Sequence, residues 1–134
     1  MTPEMTELAR RVILCKGWKW LPGMRTADAM RVIHDETLFP GRPCAVREGS
    51  WIDTAPPRPL RDALPDLSDT ATLGCIFALV REVWNEPHMS LECRFVTHYG
   101  KWEWTVLALD KPKIIPVHAW SEAEVLVAAL EAAP

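Results

Sequence analysis

The segment from Pro65 to Trp84, Pro-Asp-Leu-Ser-Asp-Thr-Ala-Thr-Leu-Gly-Cys-Ile-Phe-Ala-Leu-Val-Arg-Glu-Val-Trp, leaves this chain the least freedom. Its proline stops what precedes it, Ser68 and Asp69 offer caps, and the residues beyond carry a helical period. At about 100° per residue, Leu73, Ile76, Phe77, Val80, Val83 and Trp84 share one broad face, with Glu82 and Cys75 opposite. The pattern predicts a helix over 69–84, its first-turn amides accepted by the Asp69 carboxylate, whose charge suits that helix end. Burying each large apolar side chain contributes about 1.5–3 kcal/mol before entropy is subtracted, so other elements must cover this helix. Gly74 in its interior costs about 1 kcal/mol against alanine, which predicts another backbone packed closely there or, as the alternative, a bound ligand. Cys75, on the back of the helix, is the thiol expected to be most reachable. Asp66, Gly74 and Cys75 are the residues of this stretch to test for function.

Elements on either side can be read from similar signals. Thr2 and Pro3 suit the cap and first position of a helix whose stripe is Met5, Leu8, Ala9 and Val12, with Cys15 at its edge and Gly17 as the stop. Gly17-Trp-Lys-Trp-Leu-Pro-Gly-Met24 alternates like a short strand ending in a Pro-Gly turn, with Trp18 and Trp20 on one face. Those tryptophans either close the core or, with Met24 and Arg25, form a patch for a partner. A short strand is expected over 30–35 and a hairpin over 44–53 turning near Gly49. The prolines at 56, 57, 59 and 65 then suggest an extended linker over 55–68.

Two alternating runs follow. Leu91, Cys93, Phe95 and Thr97 face one way, and Glu92, Arg94, Val96 and His98 the other. With Tyr99-Gly100 as a two-residue loop, Phe95 opposes Trp104, Cys93 opposes Val106 and Leu91 opposes Ala108, giving a wholly apolar face that includes Trp102. On that pattern Cys93 is a small core residue. Residues 114–120 form a third strand, held to an edge or bulge by Pro116, and Ser121-Glu-Ala-Glu124 opens a last helix as a capping box. The expected fold is α+β. A three-stranded antiparallel sheet packs against two helices in α-β-β-β-α order over 69–134, joined by the linker at 55–68 to an N-terminal helix and short strands over 1–54.

Composition narrows the functional classes. A chain of 134 residues with net charge −3 is long enough for a real core and argues against broad phosphate-backbone binding. Its four cysteines are scattered without a paired spacing, as expected of reduced thiols, and a cytoplasmic location is expected. No nucleophile elbow, Walker loop, dinucleotide fingerprint or HExxH helix is present. A metal-dependent enzyme would have to use Asp66, Asp69 and His34 or His88, and no metal or cofactor is expected. Seven tryptophans against one tyrosine are unusual and draw attention to contact surfaces.

The α-β-β-β-α order resembles that of the double-stranded-RNA-binding domain. That resemblance implies a basic start to the last helix, whereas this one begins Ser121-Glu122-Ala123-Glu124, which would repel a phosphate. The motifs Trp18–Met24, Pro65–Cys75 and Ser121–Leu130 together resemble small phage and prophage proteins of unknown function. This second resemblance implies a small binder in a bacterial host, possible roles including inhibition of a host defence complex. The leading expectation is therefore a non-enzymatic protein that binds a host or phage protein, through Trp18, Trp20, Met24 and Arg25 or through Arg94 and His98 on the sheet. The alternative is nucleic-acid binding through Arg10, Arg11, Lys16 and Lys19. No membrane partner is expected.

Overall fold

Helices begin where a side-chain oxygen can take up a free amide, and three such starts organise this protein. A computed structural model of the chain describes residues 1–37, 39–48, 56–108 and 118–134. Thr2 caps α1 (Pro3–Ile13) by accepting from the Met5 amide, Asp69 caps α2 (Thr70–Val83) by accepting from Thr72, and Ser121 caps α3 (Glu122–Glu131) by accepting from Glu124. The Glu124 carboxylate reaches back to the Trp120 amide, one residue earlier than in a standard capping box. α2 ends in a Schellman turn: Asn85 takes a positive φ of 49°, and the Glu86 amide donates to the Arg81 carbonyl.

Among the described residues six strands complete an α+β fold. β1 (Met30–His34), β2 (Pro43–Arg47) and β3 (Arg58–Pro59) form one antiparallel sheet in that order. β4 (Ser90–Val96), β5 (Lys101–Leu107) and β6 (His118–Ala119) form the other. The strand expected at 30–35 is β1, but residues 44–47 pair backwards onto it, Ile33 with Cys44 and Met30 with Arg47. The hairpin turn expected near Gly49 lies outside the described residues. The proline-rich stretch contributes β3 and the buried Leu60, Pro65 and Leu67. Trp18 to Met24 forms no strand; Trp18 and Trp20 meet edge to face with centroids 5.4 Å apart and pack half-buried against the core.

α3 is the element shared by both halves. Val125, Leu126, Val127, Ala129 and Leu130 are buried in it, and it lies against α1, α2, β5 and β6. The expectation that α2 also covers the C-terminal sheet fails, since α2 packs on α3 instead. Trp84 fastens those two helices, its indole N–H donating to the Ala129 carbonyl at 2.9 Å. Arg81 ties the end of α2 to the segment before β4 through two hydrogen bonds to the Met89 carbonyl.

Two glycines exchange roles relative to expectation. Gly17 is not a left-handed helix stop; a Cβ there would collide with the Val83 side chain, so its lack of a side chain lets the chain cross α2 closely. Gly74 is exposed, with nothing near the position of an added Cβ. No neighbour therefore requires a glycine, and only its helix-propensity penalty remains. Gly74→Ala is expected to raise stability by about 0.5–1 kcal/mol, read as a higher urea midpoint with an unchanged slope. A lower midpoint would show that the helix is crowded there.

Candidate functional site

The β4–β5 hairpin has the predicted faces but a different register. Its turn comprises four residues, Thr97 to Gly100, with the Tyr99 and Gly100 amides both donating to the Val96 carbonyl and Gly100 at φ 61°. Phe95 therefore pairs with Trp102, Cys93 with Trp104 and Leu91 with Val106. A shift of two residues preserves which side chains share a face. What changes is their cover. A ten-residue helix spans about 15 Å, whereas a seven-residue strand spans about 23 Å. α3 buries Val106 at the base and leaves the turn end of the apolar face open. Cys93 is consequently exposed rather than a core residue, and it displaces Cys75 as the most reachable thiol. The Cys75 thiol donates to the Pro22 carbonyl at 3.8 Å, and burial pushes its pKa up.

Aromatic side chains collect at this open end. Phe95 is 49% exposed, Tyr99 63%, Trp102 57% and Trp120 47%; among the described residues no other phenylalanine, tyrosine or tryptophan is an exposed large hydrophobic residue. Phe95 and Trp102 meet edge to face at 5.4 Å, and Tyr99 meets Trp120 likewise at 5.7 Å. His98 stacks edge-on against Tyr99, and the Lys101 ammonium lies 5.6 Å from the centre of the Trp120 ring. Trp120 also lines an open groove of about 690 Å³ that continues between α1 and α3 past Leu8 and Ala128. On the sheet's reverse face Glu103 is only 13% exposed and is engaged by His118 Nδ1 at 2.6 Å and by Arg94 at 3.4 Å. Thr105 shares the same His118 nitrogen, so this cluster fastens β6 to β5.

The other sequence-derived candidates are held in the scaffold. Met24 is fully buried and so cannot belong to an exposed patch. Arg25 lies near Asp66 and Glu48, at 3.7 and 4.0 Å, while its amide donates to the Thr72 hydroxyl. Asp66 accepts from the amide and hydroxyl of Ser68. Arg10 pairs with Glu7, Arg11 forms a two-pronged bond to Glu131 at 2.8 and 2.7 Å, and Lys19 bonds Glu82 at 2.7 Å. Of the four basic residues considered for nucleic acid, three therefore already have carboxylate partners; the fourth, Lys16, is exposed beside the C-terminal end of the chain. His34 sits 3.4 Å from Glu36, and His88 is exposed. Among the described residues no group of three or more His, Cys, Asp or Glu side chains could hold a metal ion, and no helix is long and apolar enough to cross a membrane.

Arg31 is the structural residue that sequence reasoning missed. It donates to the Gly23 carbonyl at 2.8 Å, to Asp69 at 3.1 Å and to Glu48 at 2.7 Å, joining β1 to the start of α2. Burial pushes the Asp69 carboxyl up, but hydrogen bonds from Thr72 and Arg31, with the Arg31 charge, outweigh it and hold Asp69 below its ordinary value. No protein family, curated protein or solved structure matches this chain.

Proposed function

We propose that this chain is a non-enzymatic protein-binding module whose contact surface is the open end of the β4–β5 hairpin. The observation that carries the reading is the concentration there of Phe95, Tyr99, Trp102 and Trp120, each about half exposed or more. Leaving such area in water forgoes burial worth about 25 cal/mol per Å², a cost that a partner would recover. Tryptophan and tyrosine are also the side chains that most often dominate protein interfaces. Lys101 lies beside the Trp120 ring, while Glu103 on the reverse face is already engaged by Arg94 and His118. The surface therefore suits a protein with an apolar cleft rimmed by carboxylates. A small phage-encoded binder of a host protein, as the motif resemblance implies, is one setting for such a surface.

Single-stranded nucleic acid also stacks on aromatic side chains, but it needs a track of cations for its phosphates. Here Glu92 and Glu103 offset Arg94 and Lys101 along the same strands. Trp102→Ala and Trp120→Ala, each compared with Arg10→Ala, test the proposal by affinity capture from a bacterial lysate. Captured protein is expected to be lost from both tryptophan variants, each by about 2 kcal/mol or more of binding energy, and retained by Arg10→Ala. Equal retention on all three overturns the assignment. Oligonucleotide binding at low salt that falls steeply as salt rises would transfer it to nucleic acid.

A further inference from the structure

We infer that β4 is a pairing edge for a second copy of this chain, joined antiparallel about a two-fold axis at Cys93. This inference goes beyond the proposed function, because it uses the backbone edge of the hairpin and shares only Phe95 with its aromatic end. Among the described residues β4 is hydrogen-bonded on one side only, to β5. It is seven residues long, its register with β5 runs unbroken from Ser90 to Val96, and it contains neither proline nor lysine. Those are the usual devices by which an edge strand is kept from pairing. Among the described residues the other sheet margins have them or are covered: β3 is two residues with Pro59, β6 is two residues, and β1 is bonded by Gly23 and Met24 through Val32.

The occupant follows from the sequence of the strand itself. Antiparallel pairing that keeps the apolar face continuous must match residues of like parity, which leaves three central registers. Centring on Glu92 sets Glu92 against its own copy, and centring on Arg94 does the same for Arg94; both place like charges directly opposite. Centring on Cys93 sets each Glu92 against the partner copy's Arg94 and each Leu91 against its Phe95. The run Leu-Glu-Cys-Arg-Phe is thus complementary to itself when reversed, as a two-fold interface requires. Glu92, Cys93, Arg94 and Phe95 are all exposed in the single chain, and the dimer would draw Arg94 from its 3.4 Å pair with Glu103 on β5 toward the partner copy's Glu92. Two sheets then become one of six strands, and the half-exposed Phe95 gains an apolar cross-strand neighbour.

The test exchanges charge between copies. Glu92→Arg opposes arginine to arginine in its own dimer, and Arg94→Glu opposes glutamate to glutamate. Each variant alone is expected to self-associate at least about tenfold more weakly than the wild type in sedimentation velocity, and an equimolar mixture to recover association, because each opposed pair is again of opposite sign. Residues directly opposite lie about 5 Å apart at Cβ, so a short bismaleimide is expected to join two wild-type copies through Cys93 and to fail on Cys93→Ser. Circular dichroism of each variant confirms that the hairpin has folded. A wild-type chain that stays monomeric at high-micromolar concentration overturns the inference, as does self-association that Glu92→Arg leaves unchanged or a mixture that recovers nothing. Trp102→Ala and Trp120→Ala should leave self-association intact, so failure of this interface and failure of the aromatic surface are distinguishable.

Discussion

Asp69→Ala should lower stability by about 2–3 kcal/mol, although the residue lies at the edge of the core. Three contacts converge on its carboxylate. It accepts from the Thr72 amide and hydroxyl, both at 2.8 Å, and from Arg31 at 3.1 Å. Loss of the helix cap costs about 1 kcal/mol. Thr72 is fully buried, so its hydroxyl proton would be left without an acceptor in a place water does not reach. That penalty is about 1–3 kcal/mol for a neutral group. Arg31 keeps Glu48 and the Gly23 carbonyl, so its charge is not stranded. Asp69→Asn should cost only about 1 kcal/mol, because an amide oxygen still caps the helix while the ion pair is lost. Urea midpoints of the two variants measure both effects, and equal losses would show that the cap contributes nothing.

The same carboxylate gives the stability a definite pH dependence. Its folded pKa lies below the ordinary value of 3.8, so the folded state holds it ionised more strongly than the unfolded chain does. The resulting stability is fully present above that ordinary value and is lost as the pH falls through the lowered one. The gap between wild type and Asp69→Asn should therefore be constant near neutrality and shrink progressively below about pH 4. A gap that widens on acidification would mean that burial, not Arg31 and Thr72, sets the proton affinity of Asp69.

The helices and the two-faced hairpin were legible because their signals are local. Thr2, Asp69 and Ser121 cap as their neighbours in sequence suggest, and Leu8, Ala9 and Val12 are buried as the spacing requires. The hairpin register was not legible from alternation, since a slip of two residues leaves a period-two pattern unchanged. A two-residue loop of the expected kind needs a positive φ at Tyr99 as well as at Gly100, and only Gly100 has one. Nor can alternation show where cover ends. Phe95 and Trp102 lie on the face that also carries buried Val106, and only the shorter reach of α3 leaves them exposed. That unseen limit created the candidate site. Arg31 meets Asp69 across 38 positions, and no short-range pattern marks such a contact. Gly74 misled for a different reason: an interior helix glycine signals close packing only where something packs against it, and there nothing does.

Leu126→Ala should cost about 3 kcal/mol, more than truncation of the much larger Trp102. Leu126 is fully buried in α3, the helix that meets α1, α2, β5 and β6, so the lost methyl groups leave a cavity bounded by several elements. Buried leucine truncations typically cost 2–5 kcal/mol, and the position in that range depends on how far the surroundings collapse. Trp102 is more than half exposed, and its removal forfeits one edge-to-face contact with Phe95 and little burial. It should therefore cost under about 1 kcal/mol. Loss of α3 packing also has a spatial consequence. Val106 is buried beneath that helix, whereas the turn end of the hairpin draws no cover from it. In hydrogen exchange Leu126→Ala should reduce protection in α3, α2 and the β5 amides near Val106 together, as parts of one cooperative unit. Reduced protection confined to α3 would mean that the two halves open independently. Comparable destabilisation by Trp102→Ala would place the aromatic end within the folded core and remove the basis for reading it as a contact surface.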